Sequence, residues 1–311
     1  MRINNNITAI NSHRQYGINN SNISRNMERL SSGFRVNRAA DDAAGLAISE
    51  KMRAQIRGLN QASRNSQDAV SLVQTAEGGM QTIQDILQRM REITIQAGNE
   101  TYNNSTDQID LDALQAEFDQ LIDEIDQIAT TTEFNAMPLL NGGGTEAAPT
   151  TERLFTMQIG GNHAQTMTIS IGRMHTTRLG HSSPATEANA ANVQSLRGPA
   201  TGTAGVANNR DQALTSQARA RGTTLQVLDA AINEVSMARA NLGAYQNRLE
   251  FKIQNLNNQA ENISAAESRI RDADMAQMMT EFTRNNILFQ ASTAMLAQAN
   301  TLPQSVLQLL G

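Results

Sequence analysis

Apolar residues recur at every seventh position over a long stretch near the C-terminal end of the chain. The row comprises Leu228, Val235, Leu242, Leu249, Leu256, Ile263 and Ile270. The paired row of the same repeat is mixed, because it holds Leu225, Ile232, Arg239, Gln246, Ile253 and Ala260. A sustained seven-residue apolar repeat is typical of a coiled coil. The pattern predicts one helix over residues 222–270, about 75 Å long at about 1.5 Å per residue.

A comparable repeat fills the N-terminal half. One row is mostly large and consists of Met52, Leu59, Ser66, Val73, Met80 and Leu87. Its companion is rich in alanine and consists of Ile48, Gln55, Ala62, Ala69, Ala76, Ile83, Met90 and Ala97. These rows predict a helix over residues 42–98, similar in length to the C-terminal one, so that the two can pack side by side. A third helix, over residues 106–130, is predicted by Leu111, Leu114, Phe118, Leu121, Ile125 and Ile128, with Ser105 and Gln108 as a capping box.

The middle of the chain has a different pattern. Four of the five prolines lie at 138, 149, 184 and 199, among stretches rich in Gly, Ala, Ser and Thr that we interpret as low-complexity loops with little to bury. Between these loops apolar and polar residues alternate, with the apolar positions at Phe155, Met157, Ile159, Met167, Ile169 and Ile171. The glycines at 160 and 161 and Asn162 suit a turn. The alternation therefore predicts a β-hairpin.

A firm helix break separates the N-terminal segment from the long helix that follows it. The stretch LSSGFRVNRAADDAAG occupies residues 30–45. Gly33 can adopt the left-handed conformation that ends a helix. Either Asp41 or Asp42 can accept hydrogen bonds from the first amides of the next helix, where a negative charge also suits the helix dipole.

Both extreme termini carry amphipathic helical patterns without an evident partner. In residues 3–34 the apolar positions are Ile3, Ile7, Ile10, Tyr16, Ile23, Met27, Leu30 and Phe34. In residues 275–310 an apolar residue recurs at every seventh position, at Met275, Phe282, Phe289 and Leu296, and the neighbouring apolar positions are Met278, Met295, Leu302, Val306 and Leu310. Such faces favour either an intramolecular pair or assembly with other copies of the chain, which propagates when the contact does not close into a ring. Membrane-surface helices are a weaker alternative, because the polar faces carry Asn, Gln and Ser rather than Lys and Arg.

Composition narrows the range of functions. A net charge of −5 and a pI of about 5.5 argue against a nucleic-acid binder, and no run of apolar residues is long enough to suggest a transmembrane helix. The N-terminus lacks the apolar stretch of a cleaved signal peptide. Cysteine is absent, and the histidines at 13, 163, 175 and 181 have no metal-ligand spacing. We therefore expect no metal, no cofactor and no enzymatic activity.

The chain resembles bacterial flagellin, the subunit of the flagellar filament, from end to end. The resemblance rests on long stretches that include RINNNITAINSHRQ, MERLSSGFRVNRAADDAAGLAISEKMRAQIRGLNQASRNSQDAVSLVQTAEG, LQRMREITIQAGN, TEFNAMPLLNG, LGAYQNRLEFKIQNLNNQAENISAAESRIRDADMA and NNILFQASTAMLAQANTLPQSVLQLL. It is nearest to the short flagellins of Gram-positive type, with spirochaete core flagellins as a second possibility.

The resemblance implies a mainly α fold: a long antiparallel coiled-coil bundle built from both chain ends, a small central β-hairpin region and amphipathic terminal helices. It assigns 1–33 and 275–311 to an inner tube, 34–45 to a spoke, 46–140 and 210–274 to a coiled-coil core, and 141–209 to the hairpin and loops. Gly33, Asp41 and Asp42 belong to the spoke. The implied polymerisation residues are Ile3, Ile7, Ile10, Met275, Phe282, Phe289, Leu296, Leu302, Val306 and Leu310.

The resemblance also implies partners and a location. These are other copies of the chain, an export chaperone on the C-terminal helix, and the filament cap and hook-associated proteins. The location is the extracellular filament, reached by type III export without a cleaved signal peptide, or the periplasm for a spirochaete-type protein. A vertebrate Toll-like receptor is a further possible partner, with contacts at Arg89, Ile93 and Glu117, although the family usually has leucine at position 93.

Three functional hypotheses stay open at this point. The chain is a filament subunit, a hook–filament junction protein that shares flagellin-like ends, or a signalling coiled coil. The amphipathic, Asn-rich N-terminus argues against the last of these.

Overall fold

A computed structural model describes residues 6–99, 109–142, 152–180, 192–197 and 218–310, without the side chains of 109–110, 218–223 and 302–310. The protein is mainly helical. The helices are α1 (Ile7–Ser32), α2 (Ala43–Ala97), α3 (Ile109–Thr131), α4 (Ala218–Arg271) and α5 (Met275–Leu310). The strands are β1 (Glu133–Phe134), β2 (Met137–Pro138), β3 (Glu152–Gln158) and β4 (Thr166–Gly172), and a 3-10 helix spans Val193–Leu196. The predicted fold class is confirmed, whereas the predicted capping box at Ser105 and Gln108 lies outside the described residues.

The chain divides into two compact units. Unit 1 comprises Met1–Leu59 with Asn258–Gly311, and unit 2 comprises Asn60–Asn257. The border between them falls within the sequence of α2 and of α4. The division into inner tube, spoke and coiled-coil layers concerns an assembly, and it stays a prediction.

The seven-residue repeats form the core of unit 2. Leu228, Val235, Leu242 and Leu249 of α4 are buried together with α2 residues from Ala69 to Ala97. The alanine-rich row is buried from Ala62 onwards, whereas Ile48 and Gln55 at its start are exposed. Both the large and the alanine-rich rows of α2 are thus buried in one core with the apolar row of α4.

Polar contacts fix the antiparallel pairing of α2 and α4 in unit 2. Arg91 Nε lies 2.8 Å from Asp229 Oδ1, and at the opposite end Ser63 Oγ donates to Asn257 Oδ1 at 3.2 Å. Arg239 belongs to the mixed row of α4, and its Nη1 donates to Gln84 Oε1 at 2.6 Å. A hydrogen bond to α2 therefore accounts for arginine at this position of the repeat.

Two hairpins stand between α3 and α4. The predicted one is confirmed, because β3 pairs antiparallel with β4 and places Phe155 opposite Ile169 and Met157 opposite Met167. The pairing of β1 with β2 was not predicted. Its tight turn consists of Asn135 and Ala136, both at positive φ (51° and 59°). Asparagine tolerates this conformation, but the common signal is Asn-Gly rather than Asn-Ala.

The segment after β4 corrects one sequence-based interpretation. We expected the loop that ends near residue 209 to have little to bury, yet Val193 and Leu196 are buried in the core of unit 2. Asp126 of α3 holds the neighbouring turn, because it accepts hydrogen bonds from Thr176 N (2.8 Å) and Thr176 Oγ1 (2.7 Å) and lies 3.0 Å from His175 Nδ1. Burial raises the pKa of Asp126, but these hydrogen bonds outweigh it and hold that pKa below its usual value. The carboxylate of Asp126 therefore stays charged at pH values where ordinary carboxyl groups become protonated, and it continues to accept the hydrogen bonds that hold the turn.

Candidate assembly surface

The terminal helices α1 and α5 of unit 1 pack against each other, and we call them the terminal pair. They are antiparallel, because the rings of Tyr16 and Phe289 lie 5.0 Å apart and Asn19 Nδ2 donates to Leu288 O at 3.3 Å. Nearer the ends of the chain, Asn6 Nδ2 donates to Ala299 O at 2.7 Å. Of the alternatives raised by the sequence, intramolecular pairing is therefore present.

The seam inside the terminal pair is unusually polar. Asn19 and Asn26 are each 6% exposed, and Ser292 is 8% exposed. Asn26 Nδ2 is buried without a hydrogen-bond partner among the residues that the structure describes. Buried amides add little to stability even when they are bonded, and they cost free energy when they are not. The seam therefore binds α1 to α5 less strongly than an apolar seam of equal length.

Large apolar side chains lie on the outer sides of the terminal pair instead. Ile7 and Ile10 are each 62% exposed, and Met295 is 63% exposed. The full set, which we call the assembly surface, is Ile7, Ile10, Ile18, Met27, Met275, Met279, Ile287, Leu288 and Met295. Exposed apolar side chains in such number usually mark an interaction surface. Intramolecular pairing thus leaves these nine apolar side chains exposed.

The predicted polymerisation residues fall into three groups. Ile7, Ile10 and Met275 belong to the assembly surface. Phe282, Phe289 and Leu296 are half-buried, because α1 covers one side of each. Ile3 lies outside the described residues, as do the side chains of Leu302, Val306 and Leu310, whose backbone is helical. The sequence pattern did not single out Ile18, Met279, Ile287 and Leu288, since they lie off the seven-residue row.

The segment between α1 and α2 (residues 33–42) meets the segment between α4 and α5 (residues 272–274), and we call this region the joint. Gly33 ends α1 at a φ of 74°, in the left-handed conformation that was predicted. Across from it, Arg35 N donates to Arg271 O at 2.7 Å and Ala273 N donates to Gly33 O at 2.9 Å. The guanidinium of Arg271 lies 5.0 Å from the ring centre of Phe34. The end of α1 and the end of α4 are therefore joined by backbone hydrogen bonds.

The two aspartates of the joint have different roles. Asp42 Oδ1 accepts a hydrogen bond from Gly45 N at 2.8 Å, so Asp42 caps α2. Asp41 instead accepts bonds from Arg38 N (3.1 Å) and Asn37 N (3.3 Å) and pairs with Arg29 at 3.2 Å. The hydrogen bond from Arg38 N is the largest influence that lowers the pKa of Asp41. The sequence left the capping residue open between the two, and the structure assigns it to Asp42.

The predicted receptor contacts lie on unit 2. Arg89 Nη2 lies 2.8 Å from Glu117 Oε1, and the two side chains are 49% and 41% exposed. Ile93 is fully buried in the core, between the buried residues Met90 and Ala97 of the same helix. Sequence position alone could not separate these cases, because Ile93 lies one helical turn from Arg89.

Two features are missing from the described parts of the chain. No group of three or more His, Cys, Asp or Glu side chains there is placed to hold a metal ion. No described helix has the length and apolar character needed to cross a bilayer.

Comparison with known proteins places this architecture in a family. Residues 3–145 match the bacterial flagellin N-terminal helical region, and residues 225–310 match the bacterial flagellin C-terminal helical region. The chain belongs to the bacterial flagellin family. This flagellin is 50% identical to the flagellin of Bacillus subtilis (strain 168) and 47% identical to that of Halalkalibacterium halodurans. It is 44% identical to the flagellar filament 31.3 kDa core protein of Treponema maltophilum, and all three alignments cover 100% of both chains.

Membership of the family establishes the general role. The protein is a flagellin of the short Gram-positive type and a structural subunit of the flagellar filament. The comparisons give no support to the hook–filament junction alternative. The family is one of structural proteins that assemble into the extracellular filament.

The joint generates a prediction about Gly33. No atom lies within 4 Å of the position that a Cβ would occupy at Gly33, so Gly33→Ala costs only the left-handed backbone conformation, about 1–2 kcal/mol. Gly17 is a matched control, because a Cβ there also meets no atom, but the residue lies inside α1, where alanine gains about 0.5–1 kcal/mol.

Hydrogen exchange of amides in α1, followed by mass spectrometry, measures both changes. We expect faster exchange at residues 26–36 in Gly33→Ala and slower exchange around residue 17 in Gly17→Ala. Equal protection of residues 26–36 in Gly33→Ala and the parent chain would show that the left-handed break is not required.

Proposed function

We propose that this flagellin polymerises by burying the assembly surface against the terminal pairs of neighbouring subunits, which together form the inner tube of the filament. The observation that carries the proposal is the distribution of polarity in the terminal pair. Asn19, Asn26 and Ser292 are buried in the seam within the subunit, beside partly buried apolar residues such as Phe289. Nine isoleucine, leucine and methionine side chains of the same two helices are exposed. Apolar residues stabilise the interface at which they are buried, so the terminal pair is suited to contact other copies more strongly than it holds itself.

The magnitudes are sufficient for assembly. Fully burying one large apolar side chain contributes about 1.5–3 kcal/mol. Association costs about 4–15 kcal/mol in translational, rotational and side-chain freedom. The assembly surface contains nine such side chains. These side chains are 46–63% exposed in the subunit, so complete burial gains about half of that value for each, a total of the order of the association cost. Leu302, Val306 and Leu310 at the end of α5 are proposed to extend the same contact and to raise the total above this cost.

Substitution within the assembly surface tests the proposal. We expect the double variant Ile7→Ser and Ile10→Ser to keep the helical content of the monomer, because both side chains are already exposed. Its critical concentration for seeded polymerisation should rise at least about ten-fold, which corresponds to about 1.4 kcal/mol. Sedimentation after seeding with filament fragments measures the critical concentration, and circular dichroism measures helical content.

Leu154→Ser is the matched control, since Leu154 is 64% exposed but lies on β3, in unit 2. We expect this variant to polymerise like the parent chain. An unchanged critical concentration in the Ile7/Ile10 variant refutes the proposed surface. A loss of helical content would show instead that the two isoleucines stabilise the isolated subunit.

An export chaperone is proposed to bind α5. Met275, Phe282, Phe289 and Leu296 present an apolar row that a partner can cover in the manner of a helix in a groove. Three of these four side chains are half-buried beneath α1, so the chaperone and α1 compete for the same side of α5. Type III export is the route that we propose for a chain held in this state.

Co-purification of the chain with its co-expressed chaperone tests this competition. A chain that ends at Arg271 should lose binding, and a chain without residues 1–32 should bind more tightly than the full chain. Binding that survives truncation at Arg271 would contradict the assignment to α5. The filament cap and hook-associated proteins are proposed to contact the terminal pair as well, because subunits at the filament ends have part of this surface unfilled.

A vertebrate Toll-like receptor is a further proposed partner, at the exposed pair Arg89 and Glu117. Ile93 is proposed to act indirectly, by holding α2 in the core, because its side chain is buried. Binding of the purified receptor ectodomain should weaken in Arg89→Ala at unchanged thermal stability, whereas Ile93→Ala should lower thermal stability. Unaltered binding by Arg89→Ala would remove this contact from the proposal.

A further inference from the structure

Proline occurs inside α5, at position 303. Proline has no backbone N–H, so a proline within a helix leaves the carbonyl four residues earlier without its helical donor. In α5 that carbonyl belongs to Ala299, since 303 − 4 = 299. Ala299 is 6% exposed and faces α1, so water does not readily replace the missing donor. A buried carbonyl left without a partner costs about 1–3 kcal/mol.

Asn6 supplies the missing donor. Its Nδ2 donates to Ala299 O at 2.7 Å across the terminal pair. The same side chain caps α1, because its Oδ1 accepts a hydrogen bond from Ala9 N at 3.1 Å. One amide group therefore satisfies an unpaired N–H at the start of α1 and the unpaired carbonyl that Pro303 creates in α5. A side chain with an acceptor alone can cap the helix but cannot fill the gap.

This contact differs from the other hydrogen bonds of the seam. Asn19 donates to Leu288 O, a carbonyl whose helical donor, the N–H of Ser292, is present. Asn6 meets a carbonyl that lacks its helical donor, and α5 contains a single proline. Sliding α1 by one turn along α5 would return Asn6 to carbonyls that are already bonded. The pairing of Asn6 with the gap at Pro303 therefore selects one axial register.

We propose that Asn6 and Pro303 form a register lock that positions α1 along α5 and thereby brings the two halves of the assembly surface into alignment. The inference rests on the proposed function, because the register matters to polymerisation through Ile7 and Ile10 on α1 and Met295 on α5. Asn6 acts in it as a positioning residue. The lock also accounts for a proline inside a helix, where its cost is otherwise unexplained.

A double-mutant cycle tests the lock. Asn6→Ser keeps an N-cap acceptor and removes the amide donor, and the hydroxyl of the shorter serine side chain is not placed to donate to Ala299 O. Pro303→Ala restores the N–H that bonds Ala299 O, which makes the donor of Asn6 unnecessary. We expect Asn6→Ser to raise the critical concentration for seeded polymerisation about five- to ten-fold in the parent chain, the loss expected for one unsatisfied buried carbonyl. In the Pro303→Ala background the same substitution should change the critical concentration less than about two-fold.

Equal effects of Asn6→Ser in both backgrounds would overturn the lock and leave the proposed function intact. If the parent chain does not polymerise, the proposed function fails. The cycle is then measured by hydrogen exchange of residues 7–16 in the four full-length chains. Loss of protection in Asn6→Ser that Pro303→Ala restores supports the lock in that case, and additive effects overturn it. Circular dichroism should show unchanged helical content in every variant.

Discussion

The exclusion of water from the seven-residue apolar row of α4 is the interaction on which unit 2 depends. Leu228, Val235, Leu242 and Leu249 are buried without interruption against α2 and α3, and the hairpins pack onto the same core. Unit 1 uses the same helical geometry but places amides among the buried residues of its seam and leaves many aliphatic residues exposed on its outer sides. The two units therefore differ in where the apolar residues stand, within the subunit or at its surface, and this difference separates a self-sufficient core from a surface that requires partners.

Much of this architecture follows from periodicity. The seven-residue rows predicted α2, α3 and α4 to within a few residues, and strict alternation predicted the hairpin of β3 and β4. Gly33 was recognisable because few residues other than glycine adopt a left-handed backbone at the end of a helix. These features could be predicted because each depends on residues close together in the sequence.

Features that depend on contacts between distant segments were not predictable. The division of roles between Asp41 and Asp42 is set by Arg29 and by the turn at residues 37–38, which no spacing rule encodes. Val193 and Leu196 stand in a stretch of low complexity, and their segment is tied to the preceding turn by bonds from Val193 N to Leu179 O and from Gln194 N to Thr176 O. The bond between Asn6 and Ala299 joins residues 293 positions apart, so no local pattern could indicate it.

The joint has a mechanical consequence. The N-terminal and C-terminal segments of unit 1 are both interrupted at the joint. There Arg35 N donates to Arg271 O, and Ala273 N donates to Gly33 O, so that the two segments are hydrogen-bonded to each other. A torque that twists a filament acts on every subunit in shear. Because the two segments are hydrogen-bonded at the breaks between their helices, neither segment can extend there without breaking its bonds to the other. The two segments therefore share the load at the joint, where the end of a helix interrupts each of them.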